Sequence, residues 1–297
     1  MRNARNFNPR NRTADEALIR LVRAARYEVL PTPTVEDKLL EHVPTDRTIT
    51  VTASPAKGLD ATLDLSERLA KQGYVVVPHL AARMMRDRSQ LAEVSDRLTT
   101  AGIRSVFVPA GDKTPPEGSY DGALPLLEDL TSLGSPFPDV GITGYPESHP
   151  LINDDVVIQA MWDKRRHANH IVSNLVFNPA LVDSWLLRLR ARGIALPVWL
   201  GIPGPAERAK LLTMATKIGV GDSTRFLVKH RGAMLRLAAP GGFTGERFLT
   251  QCGPALARAD AGVAGLHVFT FNQIAETEKW RTSLLERFEG TQPSRPS

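Results

Sequence analysis

One recurring succession constrains this chain more than any other feature. A helical pattern ends at a glycine, and a short apolar run rich in β-branched residues follows at once. SERLAKQG leads into YVVVPH, DRLTTAG into IRSVFVP, RLRARG into IALPVWL, and ARADAG into VAGLHVFTF. Gly73, Gly102, Gly193 and Gly262 therefore stand where a chain leaves a helix in the left-handed conformation that a β-carbon disfavours. Short strands alternating with helices of about 10–15 residues make βαβ units, and such units assemble into a parallel sheet.

Counting the units selects the architecture. Strands are predicted near 26–30, 48–53, 74–78, 103–109, 139–144, 171–177, 196–200 and 265–270. Eight parallel strands favour an α/β fold closed into a (β/α)8 TIM barrel over an open doubly wound sheet. No GxGxxG follows the first strand, which counts against a dinucleotide-binding open sheet. An extra helical segment, residues 222–238, is predicted before the last strand, followed by the loop APGGFTG and a helix from near Glu246. Residues 13–288 read as a single barrel domain, between a basic flexible tail at 1–12 and a flexible tail at 289–297.

Composition narrows the function classes. The 37 basic and 32 acidic residues leave a net charge of only +5. Four arginines, Arg2, Arg5, Arg10 and Arg12, belong to the first tail, and no basic and aromatic interleaving follows to suggest nucleic-acid binding. No apolar run reaches the ~18–20 residues of a membrane span. The basic, polar start MRNARNFNPRNR is not that of a signal peptide, and a cytoplasmic location is expected. A single cysteine, Cys252, excludes an internal disulfide and a cysteine-rich zinc site, and it reads as inert core. The expected partners are small molecules.

In a (β/α)8 barrel the chemistry sits at the carboxyl ends of the strands. The polar residues predicted there are Glu28, Thr52, His79, Asp112, Tyr145, Glu147, His149, Asn174, Thr270 and Asn272. Glu28 lies within RYEVLP. Burial would raise its pKa and suit it to general acid catalysis, whereas a glutamate turned to solvent at the mouth would do neither. His79 follows the third strand in VVPHLAAR, where a hydrogen-bonded structural histidine is the plain alternative. Asp112 lies in VPAGDKTPPEG, either facing a ligand that Gly111 lets approach or bonding its own turn. GITGYPESHP is the most unusual segment, two prolines stiffening a loop that displays Tyr145, Glu147 and His149. His79, Glu147 and His149 are metal-ligand types, but no HxH or HExxH spacing supports a metal site. The histidines of HANH, residues 167–170, read as solvated or capping groups, and Trp162, Trp185 and Trp280 as packing residues.

GYPESHP resembles the loop after the fifth strand in the methylenetetrahydrofolate reductase family, whose members carry a YPExHP sequence there. The likeness runs from about Tyr27 to Thr277. RYEVLP is similar to the family's FEFFPP-like strand, VVPHL to its PHL strand end, AGDKTPPEG to its RGD-PP loop, and LHVFTFN to its HFYTLN-like last strand. The resemblance implies reduction of 5,10-methylenetetrahydrofolate to 5-methyltetrahydrofolate, in one-carbon metabolism on the way to methionine. It implies Glu28 as the acid that opens the methylene bridge to an iminium ion, and Asp112 as the carboxylate that faces the pterin and steadies that cation. Both then bind the folate, together with Asn174. Thr52, His79, Tyr145 and His149 match positions that line the flavin site.

The departures concern the flavin. Ala110 stands where the family has the arginine of RGD. The family's helix ending LKxKxDAGA, whose lysine reaches the flavin phosphates, reads AMWDKRRHAN here, with Met161 and Asp163 near the lysine positions. Lys164, Arg165 and Arg166 are the out-of-register replacements, and the family's folate-reading Gln becomes Asn174. The sequence thus predicts a reductase using NADH or NADPH as hydride donor without tightly bound FAD. The alternatives are the ordinary FAD-dependent enzyme, a folate-binding barrel without reductase activity and, more distantly, an unrelated barrel metal hydrolase.

Overall fold

The computed structural model describes residues 9–147, 153–205 and 245–290. Eight parallel strands alternate with helices, as the succession of helix, glycine and strand requires. In chain order they are α1 (Pro9–Arg23), β1 (Arg26–Val29), α2 (Val35–His42), β2 (Thr48–Val51), α3 (Gly58–Lys71), β3 (Val75–Pro78), α4 (Arg88–Thr100), β4 (Ser105–Val108), α5 (Ala123–Ser132), β5 (Asp139–Gly144), α6 (Asp154–Lys164), β6 (His170–Ser173), α7 (Pro179–Ala191), β7 (Val198–Pro203), α8 (Gly245–Leu256), β8 (Val263–Phe269) and α9 (Ile274–Gly290). The helix expected near Glu246 is α8, while the extra segment at 222–238 lies outside the described residues. Gly73, Gly102, Gly193 and Gly262 all have positive φ, between 61° and 90°. No helix among the described residues is long and apolar enough to cross a membrane.

The sheet runs β3-β2-β1-β8-β7-β6-β5-β4. Its two edges meet where His79 bridges Phe107 in parallel. Leu80 N–H donates to the Phe107 carbonyl at 2.8 Å and Ala82 N–H to that of Pro109 at 3.0 Å, so the sheet closes on itself. Strand alternation sorts the side chains. Tyr27, Val29, Ile49, Val51, Val106 and Val108 face outward into the apolar layer beneath the helices. Each such buried aliphatic side chain contributes about 1.5–3 kcal/mol by leaving water. A separate small cluster, Val77, Phe107 and Val172 against Trp199, fills the barrel interior.

The amino-terminal end of the interior is plugged by charge. The Arg26 guanidinium lies 3.5 Å over the Trp199 ring and 3.2 Å from His170 Nε2. His170 Nδ1 meets Asp139 at 3.0 Å, and Ser105 donates to the same carboxylate at 2.8 Å. Desolvation opposes the Asp139 charge, but His170, Ser105 and Arg26 together hold its carboxyl down at about 2. Burial lowers Arg26 to about 10 in spite of Asp139. Room for these large groups comes from glycine: a Cβ on Gly141 would lie 2.6 Å from His170 Nε2, and one on Gly265 only 2.2 Å from the Trp199 ring. His170 is therefore not the solvated histidine that HANH suggested. It opens a strand, and strand parity turns its ring inward. His167, also from HANH, meets Thr131 Oγ1 at 2.7 Å.

Candidate active site

The carboxyl ends of the strands carry the expected polar residues, and β8 shapes the centre of the site. Arg26 pairs in register with His267, so Glu28, two residues further along β1, rises above it on the same inward face. His267 Nε2 lies 2.9 Å from Glu28 Oε2. His79 Nε2 lies 4.0 Å from the same oxygen. The Glu28 side chain is only 14% exposed, and those of His79 and His267 are 7% and 1% exposed. Glu28 is thus half-buried and hydrogen-bonded, not turned out to solvent.

The backbone of Glu28 is fixed by the same neighbour strand. Its carbonyl accepts from Thr270 Oγ1 at 2.6 Å and from Thr270 N–H at 3.3 Å. Asn272 adopts φ 57°, and its side chain takes the Leu30 N–H at 2.9 Å and donates to the Leu30 carbonyl and Thr32 Oγ1. Thr270 and Asn272 therefore clasp the end of β1 to β8.

His79 sits edge-on to Phe107, with ring centroids 4.7 Å apart. Desolvation lowers its pKa to about 4, against the pull of Glu28 and together with the push of His267. The ring is neutral at ordinary pH. Its Nε2 has no hydrogen-bond partner among the described residues, which departs from the structural histidine offered as the plain alternative. Thr50 Oγ1, Thr52 Oγ1 and His267 Nδ1 are likewise buried without hydrogen-bond partners. Arg26 Nε and Arg258 Nη2 are unpartnered too among the described residues, and each buried polar atom of this kind calls for an explanation, such as a water or a ligand.

Glu28, His79 and His267 offer polar atoms within 4.8 Å of one another. Two imidazoles and a carboxylate are also a metal-ligand set in kind. The closest contact among them, His267 Nε2 to Glu28 Oε2 at 2.9 Å, is of hydrogen-bond length. Glu147 is employed elsewhere: its Oε1 accepts the N–H groups of Phe177 and Asn178 at 2.7 and 2.8 Å, tying the loop after β5 to the start of α7.

Asp112 is exposed in the loop after β4. Tyr145 is half-buried beyond the end of β5, its hydroxyl pushed up by desolvation, against a hydrogen bond with Thr143 and with a further push from the charge of Asp112. Asn174 is exposed after β6, its Oδ1 accepting the Leu175 N–H at 2.8 Å. His149 lies outside the described residues. Gly111 has φ 85°, and a Cβ there would stand 2.9 Å from that of Ala81. This glycine serves the packing of one loop on another.

The segment AMWDKRRHAN folds as the end of α6 and the turn after it. Met161 is 1% exposed and belongs to the core. Asp163 accepts from Gln159 at 2.8 Å. Lys164 is turned inward and buried, and desolvation lowers it to about 8. The Arg165 guanidinium lies 3.3 Å over the Trp162 ring. Trp185 is buried as expected, whereas Trp162 is 36% exposed and serves as that cation's platform. Cys252 is buried, its thiol pushed up to about 12 by desolvation, in keeping with inert core.

His267 is the residue that the sequence reading passed over. It stands in LHVFTFN, a segment from which only Thr270 and Asn272 were named as polar residues at the strand ends, and its signal is parity: residues 265, 267 and 269 alternate inward on the last strand.

A family profile described as methylenetetrahydrofolate reductase matches residues 35–224. Glu28 and His267 lie outside that match and join it through barrel closure. "Methylenetetrahydrofolate reductase 2" of Saccharomyces cerevisiae (strain ATCC 204508 / S288c) is 26% identical over 126 residues, which are 38% of this chain and 21% of that protein. The chain thus matches about a fifth of that relative's length. Among solved structures, a provisionally named lyase/mutase from Burkholderia cenocepacia J2315 is 14% identical, with a TM-score of 0.49, over 98% of this chain and 95% of its own. A provisionally named phosphonomutase from the same organism is 13% identical, with a TM-score of 0.47, over 93% of this chain and 99% of its own. These two likenesses say nothing about the chemistry.

Proposed function

The chain belongs to the methylenetetrahydrofolate reductase family, and from that premise we propose that it reduces 5,10-methylenetetrahydrofolate to 5-methyltetrahydrofolate with hydride taken directly from NADH or NADPH. The observation that carries the reading is the half-buried Glu28 carboxyl at the strand end, held by His267. Glu28 gives a proton to N10 of the folate as the bond from N10 to the methylene carbon breaks and its electron pair stays on N10. The methylene carbon becomes an iminium ion on N5. Hydride from C4 of the nicotinamide then reaches that carbon, leaving the methyl group and NAD(P)+. An exposed carboxylate on the opposite loop, Asp112, favours the cation while it lasts. Asn174 is placed in this reading against the pterin. Of the positions that match the family's flavin-lining residues, Thr52, His79 and Tyr145 are the ones this reading makes available to the nicotinamide, while His149 lies outside the described residues.

FAD is the family's usual intermediary, and this reading does without it because the positions that meet its polar tail in the resemblance are altered here. A pyrophosphate needs donors and positive charge. Ala110 offers neither where the resemblance calls for arginine. Near the lysine positions stand a core methionine and an acidic Asp163. Of the neighbouring cations, Lys164 is buried, Arg165 is stacked on Trp162 and Arg166 is exposed. No step is routed through a flavin.

The test begins with protein purified without added flavin. A bound flavin absorbs near ~450 nm. The expected protein shows no such band, and its initial-rate lines with both substrates varied intersect, as a ternary complex demands. Stoichiometric FAD with parallel lines, the pattern of ping-pong exchange, would restore the flavin enzyme.

A further inference from the structure

Among the groups buried near the mouth, His267 has no assigned part. Resting on the reading of Glu28 as the acid, we propose that His267 is its positioning residue: Nε2–H holds Glu28 Oε2, so that Oε1 is the oxygen that addresses the folate N10. Three features converge on this. The 2.9 Å contact to Oε2 is the hydrogen bond that His267 makes through Nε2, while its Nδ1 is buried without a hydrogen-bond partner among the described residues. The polar interaction that fixes the ring's direction is therefore the one with Glu28. The second histidine addresses the same oxygen from 4.0 Å, beyond hydrogen-bond range. Finally, β8 also grips the backbone of residue 28 through Thr270, so one strand sets both the place and the direction of the acid.

The proton inventory is consistent. With the acid proton on Oε1, Oε2 is free to accept from Nε2–H. As the proton passes from Oε1 to N10, negative charge spreads over the carboxylate, and the same Nε2–H stabilises it without moving. Charge-assisted bonds of this kind are about twice as strong as neutral ones. The bond therefore tightens as the bridge opens, which is the condition for accelerating the step. The charged and titratable groups facing the ring are Glu28 from β1, His79 from the end of β3, and His170 and Arg26 from the plug below.

Three variants test the proposal: His267→Leu, which removes the donor; His267→Gln, whose amide reaches toward Oε2; and His267→Asn, which keeps an amide too short to do so. The expected result is a fall in kcat of about 10- to 100-fold for His267→Leu and His267→Asn, the scale of one hydrogen bond to a charged group. His267→Gln recovers to within about fivefold of the wild type, and KM for the folate stays within about threefold throughout. In the Glu28→Gln background His267→Leu adds little, because a residue acting through Glu28 has nothing left to position. Should His267→Leu fail to fold, the pair of amide variants carries the comparison. Equal activity of His267→Gln and His267→Asn, or a full multiplicative loss in the double variant, would overturn the role. A fully active Glu28→Gln would instead overturn the acid assignment itself, so the two failures are distinguishable.

Discussion

Glu28→Gln is expected to keep the barrel folded and to lower kcat by roughly 100- to 10,000-fold, the usual worth of a single general acid. The amide matches the carboxyl in size and keeps an oxygen to accept from His267, so the 2.9 Å contact survives in the variant. What it lacks is a proton acidic enough to open a carbon–nitrogen bond. Binding of the folate should change little, because the loss belongs to the transition state. Steady-state kinetics beside a thermal melt measures both. Turnover above about a tenth of wild type in a normally folded variant would place the acid elsewhere.

Glu278→Ala is expected to produce the largest loss of stability, about 3–5 kcal/mol, the cost of breaking a buried ion pair from one side. Glu278 lies on α9 under β1. Its Oε2 accepts from the Tyr27 hydroxyl at 2.5 Å and from Arg281 Nε at 3.0 Å, and its Oε1 accepts from Arg281 Nη2. Glu278 and Arg281 are 9% and 8% exposed, so neither can turn to water when its partner goes. Truncation leaves a guanidinium and a phenol buried together without an acceptor. Tyr27 immediately precedes Glu28, so loosening α9 should also reach the site. Urea denaturation at constant pH gives the number, and a loss under about 1 kcal/mol would show that the helix relaxes to hydrate the pair.

The eight strands were legible because periodic apolar runs and helix-ending glycines are local signals, and a parallel barrel is their consistent assembly. The positions of Glu28, His79 and Asp112 followed from the rule that strand ends face the mouth. What escaped were contacts between residues far apart in the chain. His267 lies 239 residues from Glu28 and meets it only because β8 closes against β1. His170 read as a solvated histidine because nothing in HANH shows that its last residue opens a strand. At Gly111 the close neighbour is Ala81, from the loop after β3, which the local motif does not name. A composition or a motif cannot state which neighbour will use a gap.

The central claim, hydride passing directly from the nicotinamide to the folate, is tested most directly with NADH dideuterated at C4. The protein is incubated with that donor and 5,10-methylenetetrahydrofolate in ordinary water, and the product methyl group is examined by mass spectrometry. The account predicts one deuterium in every methyl group, with none lost to solvent. A methyl group carrying solvent hydrogen in place of the label, as expected when a reduced flavin holds the hydride long enough to exchange, would contradict it.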